Sequence, residues 1–185
     1  PSLQEGKLKV VDHLMFECRL YRGGKVIAEH LGLNETVIRA GAPFSILDVN
    51  LYVDSKLVTT YSCDGLIIST PVGSTAHSLS AGGPILRKSL QAFVISPISP
   101  HTLTNRPVVD SADWEYRLEM ASSEGNAAVV VDGREFGTML PGDQVSVVRA
   151  PTSFKLIDVE GHNYYRTLRE KLGWGGRVIS RDAQQ

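Results

Sequence analysis

The chain has 185 residues, 42 % of them hydrophobic and 21 % charged, the balance of an ordinary soluble globular chain with enough length for one good core. Its net charge of -1, from 19 basic and 20 acidic residues, excludes a general attraction to nucleic acid or to an anionic membrane. No apolar run approaches the roughly 18 residues of a membrane span, and residues 1–10 lack the layout of a signal peptide.

Strand signals dominate the chain order. Residues 8–21 are rich in Val, Leu, Met, Phe and Tyr, and Gly23-Gly24 then separates them from Val26-Ile27-Ala28. Two glycines between such runs predict a hairpin, because both turn positions can take positive φ. Residues 33–39 form another candidate strand. Residues 44–53 alternate partly, Asp54-Ser55-Lys56 turns, and residues 57–61 return. Residues 66–69 read as a buried strand that stops at Pro71, and a short helix is predicted over 74–81. Trp114, Tyr116, Leu118 and Met120 alternate with Glu115, Arg117 and Glu119, the pattern of a strand with one wet face. Residues 129–131 lead into an Asp132-Gly133 hairpin turn. Strands over 145–149 and 154–159 follow, then a helix over 162–172 with Tyr165, Leu168 and Leu172 at one-face spacing and Gly173 as its stop. The expected architecture is mainly β, a β-sandwich-like domain with two short helices. It occupies residues 1–175 and leaves a polar tail at 176–185.

Cys18 and Cys63 are the two cysteines. They make no metal-ligand spacing. Buried thiols in a reducing cytosol are their commoner state, with a disulfide left open. The five histidines stand at no metal spacing either; for His13, His30 and His162 the ordinary reading is a surface or hydrogen-bonded residue. There is no GxxxxGK[ST] and no GxGxxG. Ser74 lacks the upstream glycine of a G-x-S-x-G elbow.

The stretch DGLIISTPVGSTAHSLSAGG, residues 64–83, holds the best candidate site. A strand ends at a Pro-Val-Gly turn, and a short helix begins among small hydroxyl residues. Unpaired N–H groups at a helix start, the Ser74 and Thr75 hydroxyls, and the room left by Gly73 and Ala76 suit a base edge, a ribose or a phosphate. On physical grounds alone, a tightly packed and capped turn explains the same residues equally well.

These residues resemble the signature of NAD kinases. The resemblance runs from Asn34-Glu35-Thr36, through Asp64-Gly65, residues 69–76 and Ser80-Ala81-Gly82-Gly83-Pro84, to the Pro97–Pro107 segment PISPHTLTNRP, Val131-Asp132-Gly133 and Leu172-Gly173-Trp174. It covers roughly residues 1 to 175 in the family's order, and identifies the fold as that family's carboxy-terminal domain. It implies phosphorylation of the 2′-hydroxyl of the adenosine ribose of NAD, by ATP or polyphosphate, to give NADP. It implies that Asn34 and Glu35 hold the ribose, that Thr75 and Ala76 meet the adenine with His77 beside them, and that Ser80 shapes the pocket. Asp64 would bind the nicotinamide end, from its own or a neighbouring subunit. A carboxylate can accept from a carboxamide, and an Asn/Glu pair can bond ribose hydroxyls. For Asn34 and Asp64 turn and cap roles are the commoner alternatives.

The resemblance also implies a cytoplasmic homodimer or homotetramer, and Mg²⁺ or another divalent cation in the full-length enzyme. Two departures stand in the signature: His77 where the family has Tyr, and Val72 where it has Thr. The family's amino-terminal α/β domain, with its Gly-Gly-Asp-Gly motif and proposed aspartate base, has no counterpart here, so no catalytic residue is assigned and the chain is expected to be inactive alone. Two rival readings are a lipid or diacylglycerol kinase domain, which would want an apolar acyl pocket, and a non-catalytic nucleotide-sensing module.

Overall fold

The computed structural model describes residues 9–41, 46–102, 105–121, 125–158 and 164–173. The chain divides into two compact units, Asp12–Phe154 and a smaller one of Pro1–Val11 with Lys155–Gln185.

The larger unit is built on two six-stranded sheets. The strands are β1 (Lys9–Arg22), β2 (Lys25–Gly32), β3 (Glu35–Ala40), β4 (Leu47–Val53), β5 (Lys56–Cys63), β6 (Gly65–Ser69), β7 (Ala92–Ile98), β8 (Val108–Ser111), β9 (Tyr116–Met120), β10 (Ala127–Val131), β11 (Arg134–Met139) and β12 (Gln144–Asp158). One sheet runs β2-β1-β12-β9-β4-β5 and the other β11-β10-β3-β6-β7-β8. The expected mainly-β sandwich is therefore what the chain forms.

Alternation explains most of it. Along β1, Phe16, Cys18 and Leu20 are buried and alternate with partly wet residues from Met15 to Tyr21, and β9 and β10 repeat the pattern. The inward residues of both sheets merge into one core. Phe16, Val49, Tyr116 and Leu118 from the first sheet meet Ile38, Leu66, Phe93 and Val129 from the second. Phe93 and Tyr116 bridge the sheets edge to face, with ring centres 5.6 Å apart. Three hairpins use turns with two consecutive positive-φ residues: Gly23-Gly24, Asp54-Ser55 and Asp132-Gly133. That twist matches the strands they join.

β6 departs from alternation, with all five residues buried. Leu66 and Ile68 belong to the inter-sheet core. Ile67, with Val37 and Val94 of the flanking strands, is buried on the opposite face. Part of residues 70–91 covers that face. Ser78 shares a 3.1 Å hydrogen bond with Ser96 of β7, and a Cβ on Gly83 would lie 2.8 Å from Ser96 Oγ.

Several elements differ from the sequence expectation. The helix over 74–81 is a 3-10 turn at Gly73–Thr75 and a one-turn helix α1 (His77–Ser80), parted at Ala76, whose ψ of -127° breaks the helical path. The strands expected at 145–149 and 154–159 are one strand, β12; Pro151 is exposed and leaves the run unbroken, and residue 159 lies outside the described residues. Strands β7 and β8 go beyond the sequence expectation: Ser96-Pro97 interrupts the apolar run of β7, and β8 is only four residues long. His13 is buried, and its Nδ1 has no partner among the described residues, contrary to the ordinary reading. Both cysteines are buried free thiols; burial pushes Cys18 up to about 12 and Cys63 up to about 11.

In the smaller unit, helix α2 (Tyr164–Leu172) is described; residues 162 and 163 and the tail at 176–185 lie outside the described residues. Of its three spaced apolar residues only Leu168 is buried. Gly173 follows it at φ +61°, as a helix-stopping glycine should.

Candidate functional site

The site grows from the register of two neighbouring strands. β3 and β6 run antiparallel with Glu35 opposite Ser69, so the start of one meets the end of the other. The chain leaving β6 is then stitched to the β2–β3 turn. The Thr70 N–H donates to Asn34 O at 2.8 Å, and its hydroxyl donates to Leu33 O at 2.6 Å. The same hydroxyl accepts the Gly73 N–H at 3.2 Å. Gly73 itself lies so close that a Cβ there would sit 2.1 Å from Asn34 O. Glycine is required by that approach of two backbones.

Asn34, Glu35, Thr75, Ala76, His77 and Ser80 are thereby gathered at one end of the sheet. Ala76, His77 and Ser80 are exposed, Asn34 and Thr75 are half-buried, and Glu35 is buried. The Thr75 hydroxyl donates to Val72 O at 3.3 Å. Ser74 corrects the expectation of an accessible hydroxyl: it is fully buried, donating to Pro71 O at 2.7 Å and accepting Leu86 N–H at 3.0 Å. Its role is to fasten the covering segment. Helix-start donors are also fewer than expected, because the Ser74 and Ala76 N–H groups bond Thr70 O and Gly73 O.

Glu35 is the electrostatic centre. Burial, then the charge of Asp132, lift its carboxyl from 4.5 to about 7, against a hydrogen bond from the His77 backbone N–H. The carboxyl's Oε2 is buried without a partner among the described residues. A buried oxygen in that condition is costly unless a further donor reaches it.

Asp132, in the β10–β11 turn, has a carboxylate that accepts the backbone N–H groups of Leu33, Asn34 and Glu35 at 2.7, 2.7 and 3.0 Å. The sequence reading placed Asp132 in a hairpin turn and gave it no part in a site. The turn residue was visible; its reach to a segment almost a hundred residues earlier was not.

Asp64 stands apart. It precedes β6 at the end opposite Ser69, so five strand residues, about 17 Å, separate it from the Asn34 cluster. Its side chain is 57 % exposed, and His101 Nε2 lies 3.2 Å from its Oδ1. His101 was not among the predicted site residues, although the Pro-His-Thr segment signalled it. The strand end also carries ordered backbone, since Asp64 N–H donates to Ile98 O and Ala40 N–H to Asp64 O. A separate groove of about 460 Å³, lined in part by Asp54, Asp113, Trp114, Glu115 and Arg149, includes none of the predicted site residues. No group of three His, Cys, Asp or Glu suited to a metal occurs among the described residues.

Comparison with known proteins points one way. Residues 33–159 match the family described as ATP-NAD kinase C-terminal domain. The chain is 58 % identical to an NAD kinase of Rhodopirellula baltica over 183 residues, covering 98 % of this chain and 58 % of that protein. It is 40 % identical to an NAD kinase of Colwellia psychrerythraea, covering 96 % of this chain and 61 % of that protein. It thus spans about three fifths of these relatives' length. Among solved structures, yeast NADH kinase complexed with NADH superposes with a TM-score of 0.87 at 24 % identity, over 96 % of this chain and 52 % of that one; this similarity bears on the fold. An NAD kinase from Archaeoglobus fulgidus in complex with ATP gives a TM-score of 0.71 at 25 % identity, over 93 % of this chain and 61 % of that one.

Proposed function

The chain belongs to the ATP-NAD kinase family through that family's C-terminal domain, and on that premise we propose that it is the NAD-binding part of an enzyme that phosphorylates the 2′-hydroxyl of the adenosine ribose of NAD. The observation that carries the reading is the convergence of Asn34 and Glu35 with Thr75, Ala76 and His77, brought about by the Thr70 hydrogen bonds to Asn34 O and Leu33 O and by the close packing of Gly73 on Asn34. Asn34 and Glu35 offer amide and carboxyl groups to ribose hydroxyls. Ala76 keeps the surface low for a base, His77 offers an imidazole beside it, and Ser80 sits one helical turn further on. The unpartnered Glu35 Oε2 is the acceptor, or when protonated the donor, that such a hydroxyl would meet.

Phosphoryl transfer depends on positioning and on stabilising charge. The proposed donor, ATP or polyphosphate, and Mg²⁺ or another divalent cation would engage a Gly-Gly-Asp-Gly-bearing α/β domain. The task assigned to this chain is to hold and orient the acceptor, through Asn34, Glu35 and the 75–77 segment. Asp64 would meet the nicotinamide carboxamide from a second copy, given its distance from the Asn34 cluster. Exposed apolar residues on strands at sheet edges support a homo-oligomer: Val26 and Ile27 on β2, Leu57 and Val58 on β5, Val108 and Val109 on β8. Two buried, unpaired thiols support a reducing, cytoplasmic location. No described helix is long and apolar enough to cross a membrane.

Calorimetry of the chain with NAD, NADP and ATP tests the reading. Heat of binding with a dinucleotide is expected, and it should weaken in Asn34→Ala. A folded chain that gives no heat with either dinucleotide refutes it.

A further inference from the structure

We propose that Asp132 is the positioning residue of the dinucleotide site: its carboxylate fixes the β2–β3 turn that presents Asn34 and Glu35, and it stands as a like charge beside the buried Glu35 carboxyl. The inference rests on the dinucleotide reading above and adds to it a residue that touches no ligand.

Turn chemistry alone does not account for this aspartate. In a turn with two positive-φ residues, Asp, Asn or Gly all serve the first position, and Asp132 holds φ +47° there. Asp54 takes the equivalent place in the β4–β5 turn at φ +46°. What distinguishes Asp132 is three consecutive donors. Its Oδ2 accepts Leu33 N–H, and its Oδ1 accepts Asn34 and Glu35 N–H. An asparagine has one acceptor oxygen and would turn an N–H₂ group toward one of these donors. The return bond from Asp132 N–H to Glu35 O, at 3.0 Å, closes the connection. The segment so held is the one against which Gly73 and Thr70 pack, so the carboxylate governs the backbone on both sides of the site.

The same side chain acts on Glu35 through space. The groups that influence the Glu35 carboxyl are Asp132, from the β10–β11 turn, and the His77 backbone N–H, from the start of α1. Among the described ion pairs none offers Glu35 a cation. A like charge on one side and one N–H on the other leave the buried carboxyl able to keep its proton into the neutral range.

The test uses the full 185-residue chain, with glutamate side chains labelled for carboxyl NMR, and Asp132→Asn beside the wild type. Without ligand, the Leu33, Asn34 and Glu35 amides should exchange faster in the variant than their neighbours. The Glu35 titration midpoint should fall by about one pH unit when the like charge is removed. With NAD, the variant should bind about tenfold more weakly, because the turn spends less time in the binding arrangement, and the pH profile of its affinity should be displaced with the Glu35 midpoint. An unchanged Kd together with an unmoved Glu35 midpoint overturns the proposal. If the wild type fails to bind NAD but the Glu35 midpoint still falls in the variant, the dinucleotide reading fails while the control of Glu35 by Asp132 stands. Should Asp132→Asn not fold, Asp132→Ser removes the charge and keeps an acceptor. In either case a wild-type Glu35 that titrates in the ordinary carboxylate range overturns the proposal.

Discussion

Replacing Glu35 by glutamine should make the protein more stable, and increasingly so as pH rises. Glu35 is 7 % exposed and sits near Asp132. Both conditions disfavour its ionised form, burial more than charge. Because the folded state raises this carboxyl, the folded state prefers the neutral acid. That preference contributes stability fully below about pH 4.5, the unfolded value, and is lost as pH rises through about 7. Lifting the group from 4.5 to about 7 corresponds to a loss of about 3 kcal/mol, at about 1.4 kcal/mol per pH unit. Glutamine copies the neutral acid in shape. Its oxygen can take the His77 N–H, and its N–H₂ can donate toward Asp132. The two proteins should therefore be nearly equal in stability at about pH 4.5. The variant should lead by about 2 kcal/mol near pH 6 and by about 3 kcal/mol above pH 8. Urea unfolding at a series of pH values, with the slope m checked for constancy, measures the difference directly. A gap that does not widen between pH 5 and 8, or one that favours glutamate as pH rises, would refute the reasoning.

Three other perturbations separate the parts of the fold from the parts of the site. Gly73→Ala drives a Cβ against the Asn34 backbone at 2.1 Å; it should cost about 1–3 kcal/mol in unfolding experiments and weaken NAD binding in calorimetry. Asp143 is almost fully buried, and its fork to Arg22 at 2.7–3.1 Å, with the Leu140 N–H, holds its carboxyl below the usual carboxylate range. Stability from that pair is present above the unfolded value of 3.8 and is lost as pH falls through the lower folded one, so Asp143→Asn should lower the melting temperature at neutral pH and lose that deficit in strong acid. Asp64→Ala alters an exposed side chain; stability should change by less than about 0.5 kcal/mol, while dinucleotide affinity falls, and unchanged affinity would remove Asp64 from the site.

The sequence disclosed the sandwich because its strands are wet on one face. Alternation at residues 114–120 and the Gly23-Gly24 and Asp132-Gly133 turns carry through to β9, the β1–β2 hairpin and the β10–β11 hairpin. It disclosed less where burial is two-sided or the chain is irregular. β7 is buried along its middle and contains Pro97, so neither period nor composition marked it. The expected helix divides at Ala76, just after Gly73 packs on Asn34, a contact between residues 39 positions apart. For the site, the residue types were legible and their partners were not. Ser74 and Thr75 read alike in sequence, yet Ser74 is wholly buried as a strut for Leu86 while Thr75 stays half-open. Glu35 read as a ribose-holding residue through the resemblance; its shifted carboxyl comes from burial and then from Asp132, which the β3–β10 pairing brings near.

β6 explains why the proposed site residues fall into two places. A strand buried on both faces offers no side chain to solvent along its length, so its chemistry lies at its ends. One end holds Ser69 and Thr70 against Asn34; the other holds Asp64 against His101. One dinucleotide that uses both ends would have to run past the whole covered strand or be met by a second copy. The apolar edges of β2, β5 and β8 give a second copy surfaces to pack on. The alternatives are separable by mixing Asn34→Ala and Asp64→Ala chains. If each site takes Asp64 from a neighbour, the mixed dimer pairs the intact Asp64 of one chain with the intact Asn34 of the other, and tight NAD binding returns at about a quarter of the wild-type sites for random pairing into dimers. If each site is built within one chain, every site in the mixture carries one of the two substitutions and no tight binding returns.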